Sequence, residues 1–319
     1  MHNPPENDLV SIARQGGRLN RMAVRTPTYP ADVKEKNPAW RPMSLLVRTM
    51  PLRRLHWFAT KRLVAHPEPG QSMFAGTEYG AVVDALRTDG HFPGLTLPKI
   101  TYQEIAEFAR NTGCFGNSNR RIEFVAPELA DAEARFGRPL LSGHFFERSL
   151  DCAAVIAVQR DPLLADIARH YLGGQAQVIT PRVWWSFPTQ GSEADRSLAS
   201  HDKYHFDVDD WRMLKFFFNL VDVDEGTGPH LFVKGSHRRR RIKHQLTLHV
   251  RHPAEEVLGF YGKGSVVTLM GKAGFGFVED PFGFHICSVP TQKPRLMMEV
   301  GFGISKPSRR RFHGEPVLR

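Results

Sequence analysis

The chain has 319 residues and a formal net charge of +10, and 41% of its residues are hydrophobic while 24% are charged. These proportions are those of an ordinary globular protein of one large or two small domains, and they exclude a disordered or low-complexity chain. No run of apolar residues is long enough to predict a membrane-spanning helix, and the first residues predict no secretion signal.

Cysteines are few and widely separated. Cys114, Cys152 and Cys287 are odd in number and form no CxxC pair. The sequence therefore predicts free, buried thiols in a cytoplasmic protein and no disulfide framework.

Residues 1–75 are predicted to be a basic N-terminal arm, partly extended, with residues 1–42 rich in Pro, Asn and Arg. Within this arm, residues 45–64 mix Leu, Trp and Phe with Arg and Lys. One interpretation is an interfacial amphipathic segment. The other is an arm that packs its apolar side chains on the domain and leaves its arginines in water. Pro51 is expected to break or kink a helix there, so the second interpretation is favoured.

Helical patterns begin after Gly76. They predict helices over 79–87, 101–111, 149–158 and 161–171. Thr101 and Glu104 have the spacing of a capping box at the start of the second helix. Gly173 and Gly174 are typical of the end of the last one.

The pattern changes after Gly174 to short segments rich in β-branched and aromatic residues, separated by turn residues. We expect strands over 177–187, 213–221, 231–233, 264–269 and 295–303. The chain is therefore predicted to be mainly β with flanking helices, as a sandwich or jelly roll. The jelly-roll domain would span 76–319, with helical support from 76–175 and a β core over about 176–304.

The segment His205-Phe206-Asp207 is the main chemical signal. Side chains two residues apart on a strand share a face, and one imidazole with one carboxylate is two thirds of a facial triad for Fe(II). The third ligand must be a distant histidine, for which His285 is the candidate. Arg295 follows ten residues later and is suited to a bidentate pair with a carboxylate.

Two further polar residues, Lys215 and Asn219, share one face of a predicted strand. They are candidates for lining a cofactor or substrate pocket, and an ordinary strand surface is the alternative. His201 and His205 have the spacing of a zinc-protease helix, but Asp202 stands where that motif needs glutamate.

Several stretches, in this order, resemble the phytanoyl-CoA dioxygenase family of Fe(II)/2-oxoglutarate oxygenases. They are Leu86–Gly90, Asp161–Gly173, His205–Asp207, Leu214–Val223 and the Gly228-Pro229 to Gly235-Ser236-His237 block, followed by His285 and Arg295. The resemblance implies a double-stranded β-helix and an Fe(II)/2-oxoglutarate-dependent hydroxylase. It implies His205, Asp207 and His285 as catalytic iron ligands, Arg295 as the 2-oxoglutarate anchor, O2 as co-substrate and ascorbate as an optional reductant.

The excess positive charge is concentrated in Arg238–Arg241, Arg309–Arg311 and the segment 48–62. Clustered guanidinium groups bind anions. We therefore expect a small or lipid-linked anionic substrate, such as an acyl thioester or a glycolipid sugar acid, and peripheral contact with the inner face of an anionic membrane. A nucleic-acid partner is disfavoured because no nucleic-acid motif accompanies the charge.

Two other function classes stay open from the residues alone. One is a jelly-roll metal-binding or sensor protein without turnover. The other is an oxygenase that modifies nucleic acid, which strongly salt-dependent binding would support.

Overall fold

The computed structural model describes residues 40–64, 70–74, 76–174, 176–189 and 203–305. The predictions for residues 1–39, for His201 and for Arg309–Arg311 lie outside these ranges.

Strands dominate the part of the chain that is described. Their bounds are β1 His91–Thr96, β2 Cys114–Gly116, β3 Glu123–Phe124, β4 Ser142–His144, β5 Gln177–Ser186, β6 Tyr204–His205, β7 Met213–Asn219, β8 His230–Val233, β9 Arg251–His252, β10 Val266–Leu269, β11 Phe275–Glu279, β12 His285–Cys287 and β13 Arg295–Gly303.

The helices flank these strands. Their bounds are α1 Trp40–Leu46, α2 Met50–Thr60, α3 Tyr79–Thr88, α4 Lys99–Asn111, α5 Leu129–Phe136, α6 Ala153–Gln159, α7 Pro162–Leu172, α8 Ile242–Leu246 and α9 Ala254–Tyr261. Helices α1 and α2 belong to the same compact unit as the sheets.

Two antiparallel sheets form the core. Sheet A has eight strands in the order β1-β11-β7-β13-β5-β4-β2-β3, and sheet B has five in the order β10-β8-β12-β6-β9. Strands distant in sequence are neighbours, as β12 lies between β8 and β6. Alternation of successive strands between two facing sheets is the arrangement of a jelly roll. The predicted jelly-roll core, mainly β with flanking helices, is confirmed.

The two sheets face each other across aromatic side chains. Phe217 of β7 and Phe277 of β11 lie with their ring centroids 5.3 and 5.1 Å from that of His230 in sheet B. Every residue of β7 and of β13 is buried, because these central strands are covered on both faces. Strand β13 begins and ends where the sequence predicted.

Local capping explains why α7 was predicted well. The Asp161 carboxylate accepts the backbone N–H of Leu163, and Pro162 occupies the first turn, where a missing N–H costs nothing. Gly173 ends the helix in the left-handed region with φ +80°, which a residue with a side chain rarely adopts.

The predicted capping box of α4 is wrong. The helix begins at Lys99 with Pro98 as its N-cap, so Thr101 lies inside the first turn. The Glu104 carboxylate instead accepts the backbone N–H of Ala154, 3.2 Å away, at the start of α6. A tertiary contact therefore replaces the local cap that the spacing suggested.

The segment 76–175 was expected to be helical support, but it also supplies β1 to β4. Strand β1 pairs with β11 at the edge of sheet A, and β4 pairs with β5. These strands are short or contain proline and glycine, so they carry little periodic signal.

Two predictions about the N-terminal arm are wrong at helix α2. Pro51 does not break the helix but lies in its first turn, where proline is tolerated. The favoured interpretation, apolar side chains packed inward with arginines in water, is wrong for this helix. Leu55 and Phe58 are each 65% exposed, while Arg53 points inward to Asp280, with Nη2 3.1 Å from Oδ2.

Candidate metal centre

The site begins with two histidines that face each other across sheet B. His205 of β6 and His285 of β12 are direct partners in the antiparallel register, and their ring centroids are 4.2 Å apart. Both are at least nine-tenths buried. Cross-strand pairing therefore joins side chains that are 80 residues apart in the sequence.

Asp207 completes a cluster with these histidines. Its backbone N–H donates to the carbonyl of Pro281, 2.8 Å away, which holds the chain after β6 against the loop that leads to β12. One possible ligand atom from each of His205, Asp207 and His285 lies within 4.8 Å of the others. The structure thus brings together all three residues that the sequence selected.

The donors of this cluster suit a divalent ion. His285 Nδ1 donates to the carbonyl of Gly283, 3.0 Å away, which leaves the Nε2 lone pair available. Burial alone would raise the pKa of Asp207, but Lys215 and the two histidines hold that pKa well below its usual range. Two imidazoles and an ionised carboxylate are the donor set of a non-haem iron site, so the residues present fit the ion.

Lys215 of β7 lies beside this cluster. Its Nζ is 2.6 Å from Asp207 Oδ2 and 3.8 Å from Glu299 Oε1 of β13. Burial lowers the pKa of Lys215, but the carboxylates of Asp207 and Glu299 raise it above its ordinary value. Lys215 therefore occupies one carboxylate oxygen of Asp207 and leaves the other for a metal.

Asn219, the second predicted pocket residue, lies at the far end of β7 and is buried. Its side-chain amide donates to the carbonyl of Gly271, 3.3 Å away, and its Oδ1 has no hydrogen-bond partner. Asn219 contacts neither the histidines nor Asp207 through any described hydrogen bond. Its role in a pocket stays a prediction.

Arg295, at the start of β13, is 2% exposed. Its guanidinium donates to the carbonyls of Gly228 and Ser288 and lies 3.4 Å from Ser186 Oγ. It also lies beside Cys287, two residues beyond His285 on β12. Two residues of strand span roughly 6.6 Å, which is comparable with the length of a five-carbon dicarboxylate.

The sequence did not predict the buried polar cluster formed by His230, Glu279 and Cys287. His230 of β8 contacts Glu279 Oε2 of β11 at 2.8 Å and Cys287 Sγ at 3.2 Å. Burial raises the pKa of Glu279 to about 7. Burial alone would raise the pKa of Cys287 as well, but His230 and Arg295 lower it. Nothing in the local sequence around Glu279 marks it, because its partners come from other strands.

The cysteines and His237 are the remaining residues of chemical interest in the sequence. All three cysteines are free, as predicted, although Cys287 is only half-buried. His237 is buried against Gly90, whose φ of +86° and missing Cβ make room for the imidazole ring.

The basic run Arg238–Arg241 was expected to lie on the surface, but one of its four arginines is buried. Arg238, Arg239 and Arg241 are exposed, but Arg240 is buried. Its guanidinium carbon lies 3.7 Å from the ring centroid of Phe206 and 3.8 Å from that of Phe282. Burial lowers the pKa of Arg240 to about 9. Only part of the run is available for an anionic partner.

The fold and cluster together define a jelly-roll protein with a two-histidine, one-carboxylate centre between its sheets. No protein-family model matches the chain, and no curated protein matches it significantly. The resemblance to the phytanoyl-CoA dioxygenase family therefore stays a prediction.

Solved structures resemble the chain more clearly. AviO1 from Streptomyces viridochromogenes Tue57 is 14% identical with a TM-score of 0.50, covering 73% of this chain and 98% of its own. This likeness supports the fold. EctD from S. alaskensis with bound Fe is 18% identical with a TM-score of 0.47, over 80% of this chain and 89% of its own. The non-haem alpha-ketoglutarate-dependent carbocyclase SnoK from nogalamycin biosynthesis is 15% identical with a TM-score of 0.48, over 79% and 97%.

Among the described residues, none of the helices has both the length and the apolar character needed to cross a bilayer.

Proposed function

We propose that the protein is an Fe(II)/2-oxoglutarate-dependent oxygenase that hydroxylates a C–H bond of an anionic substrate. The observation that carries this proposal is the convergence of His205, Asp207 and His285 between the two sheets, within 4.8 Å of one another. Iron(II) bound there would, with 2-oxoglutarate and O2, supply the oxidising power for C–H hydroxylation.

The chain's own residues have separate tasks in this proposal. His205, His285 and one oxygen of Asp207 hold the ion on one side and leave its other positions open. Lys215 keeps Asp207 ionised and oriented through the 2.6 Å contact. Arg295 holds the distal carboxylate of 2-oxoglutarate, and the aromatic side chains between the sheets exclude water.

Uncoupled turnover tests the proposal without the substrate. The purified protein, loaded with Fe(II) under argon, should develop a visible charge-transfer band with 2-oxoglutarate and should form succinate slowly when O2 is admitted. His205→Ala, Asp207→Ala and His285→Ala should each abolish both signals. His170→Ala, which changes a partly exposed histidine on α7, is the matched control. Iron binding without 2-oxoglutarate binding or succinate would overturn the proposal in favour of a metal-binding or sensor protein.

A surface formed by α1, α2 and α8 favours a lipid-linked substrate. Nine of the twelve exposed large hydrophobic side chains of the described residues belong to these helices or to the few residues that follow them, namely Leu45, Leu46, Leu52, Leu55, Phe58, Leu63, Ile242, Leu246 and Leu248. We call these residues the apolar surface. Exposed apolar side chains gathered on neighbouring elements are typical of an interaction site.

The same side of the molecule is basic. A groove of about 620 Å³ between α2 and α8 is lined by Arg54, Arg238 and Arg239, among others. A hydrogen bond from Met50 N to Gln245 Oε1 joins the two helices, and a second from Arg48 Nη1 to the Thr247 carbonyl joins the residues that flank them. Apolar side chains beside arginines match an anionic bilayer, where the apolar side chains enter the acyl boundary and the arginines contact headgroups.

We therefore infer that this surface docks on an anionic membrane and gives the centre access to an anionic, lipid-linked substrate such as a glycolipid sugar acid. Co-sedimentation with vesicles tests this inference. Vesicles containing phosphatidylglycerol should bind the protein at low salt and less at high salt, whereas purely zwitterionic vesicles should bind it weakly.

The double variant Leu55→Ser/Phe58→Ser should lose vesicle binding. Ile100→Ser is the matched control, because Ile100 is 77% exposed on α4, outside the apolar surface. Binding that is indifferent to anionic lipid, or unchanged in the double variant, would overturn the membrane inference and leave the proposed oxygenase chemistry intact. Succinate formation that is accelerated by a water-soluble acyl thioester and not by vesicles carrying an anionic glycolipid would point to the thioester as the substrate class.

A further inference from the structure

A second histidine–carboxylate cluster lies apart from the candidate iron centre. It is built by His244 of α8, His252 of β9 and Glu256 of α9, three elements that follow one another within 20 residues of sequence. One ligand atom from each lies within 4.8 Å of the others. We propose that these three residues bind a zinc ion.

The donors are largely removed from water. His244 and His252 are 0% and 1% exposed, and the side chain of Glu256 is 21% exposed. His244 Nε2 lies 2.6 Å from Glu256 Oε1, and His252 Nδ1 lies 3.6 Å from the same oxygen. The two imidazoles thus converge on one oxygen of Glu256. The carboxylate forms the side of the cluster that faces the solvent.

An ordinary hydrogen bond accounts for only half of this arrangement. The His244–Glu256 contact has hydrogen-bond length, but 3.6 Å between His252 and Glu256 exceeds it. His252 Nε2 and His244 Nδ1 are buried without hydrogen-bond partners. His252 is fully buried, and its Nδ1 faces the Glu256 carboxylate from just beyond hydrogen-bond distance. This arrangement suits a metal ion bound by both residues.

The distances are compatible with zinc coordination. Bonds of about 2.1 Å in a tetrahedron separate the donor atoms by roughly 3.4 Å. The His252–Glu256 separation of 3.6 Å is close to this value, and the His244–Glu256 separation of 2.6 Å needs to widen by less than 1 Å. Rotation of the partly exposed Glu256 side chain can provide this change.

The donor types select zinc over other abundant divalent ions. Two imidazole nitrogens and one carboxylate oxygen form a common three-ligand zinc set, with water in the fourth position. Calcium and magnesium prefer all-oxygen sites. Lys243 Nζ, 3.1 Å from Glu256 Oε1, is the cation that zinc would displace, and it is exposed enough to swing into solvent.

This site lies next to the strand that carries a candidate iron ligand. His252 pairs with Tyr204, and its neighbour Arg251 pairs with His205, in the β9–β6 register. Zinc would therefore hold β9 in place against β6 and favour the folded chain by mass action.

Metal counting in a background without the first cluster tests the proposal. The full chain carrying His205→Ala and His285→Ala should bind one equivalent of Zn²⁺ in competition with a chromophoric chelator. Adding His252→Phe or Glu256→Gln should weaken this binding by about 100-fold or more, because loss of a group that only supports a ligand already costs up to about that much. Adding His170→Ala should leave it unchanged.

Thermal unfolding gives a second readout. Zinc should raise the melting temperature of the His205→Ala/His285→Ala chain but not that of the same chain with Glu256→Gln. If His252→Phe prevents folding, Glu256→Gln decides, because Glu256 is partly exposed. Absence of zinc binding in the background chain, or binding and stabilisation unaffected by Glu256→Gln, would overturn the proposal. Neither result bears on the oxygenase chemistry, because the first cluster is already removed.

Discussion

Lys215 and Asp207 form a buried ion pair, with Nζ 2.6 Å from Oδ2, at the edge of the candidate iron centre. The pair links β7 of sheet A to the chain that follows β6 of sheet B. It therefore holds the two sheets together at the point where the metal ligands converge.

Removing Lys215 should leave a buried carboxylate without its partner. Lys215→Met is expected to lower the free energy of unfolding of the metal-free protein by about 3–5 kcal/mol. Urea denaturation followed by far-UV circular dichroism measures this loss. The double variant Lys215→Met/Asp207→Asn should recover part of it, because the uncompensated charge is gone. Losses that simply add would contradict the pair's importance.

Arg295 should act on the co-substrate and not on the metal. Arg295→Met is expected to raise the KM for 2-oxoglutarate by about 30-fold or more, since truncating one partner of a buried charge pair costs about 2 kcal/mol or more. Iron affinity should change little. Steady-state succinate formation and anaerobic iron titration measure the two effects. Arg212→Met provides the control, because Arg212 is equally buried but donates to Thr60 on α2. Equal effects of both variants on the KM for 2-oxoglutarate would contradict the role of Arg295 as its anchor.

Substitutions of neighbouring arginines in the run Arg238–Arg241 should lower the free energy of unfolding by different amounts. Arg240→Ala is expected to cost about 3 kcal/mol, because the guanidinium is desolvated over aromatic rings and fills buried space. Arg239→Ala should cost less than about 0.5 kcal/mol, since Arg239 is exposed. Chemical denaturation of both variants makes the comparison. Similar costs would mean that Arg240 is not buried as described.

Stability should fall in mild acid because of His144 on β4. Burial lowers the pKa of His144 to about 3, with Arg182 acting in the same direction. Below the ordinary value of about 6.5 the unfolded chain binds a proton that the folded chain does not, so this residue removes about 1.4 kcal/mol per pH unit between roughly 6.5 and 3. His144→Phe should flatten the decline of unfolding free energy between pH 6.5 and 4.5, and the control His170→Phe should not. An unchanged slope in His144→Phe would contradict the assignment.

Some features of this chain are encoded within a few neighbouring residues, and these were predictable. The cap at Asp161, the left-handed Gly173 and the fully buried strand Arg295–Gly303 depend on local chemistry. The His205-x-Asp207 spacing selected the right residues, but strand periodicity does not place them together, because β6 ends at His205 and the carbonyl of Pro281 holds Asp207.

Other features were decided by contacts between distant segments. The pairing of His205 with His285 needs β6 and β12 to be neighbours, and the Lys215 contact needs sheet A to face sheet B. The inward turn of Arg240 and the outward turn of Leu55 and Phe58 went against the expectation from composition. The physical reason is that local periodicity acts over one or two turns, whereas burial of a charge depends on partners that only the folded chain brings within a few ångströms.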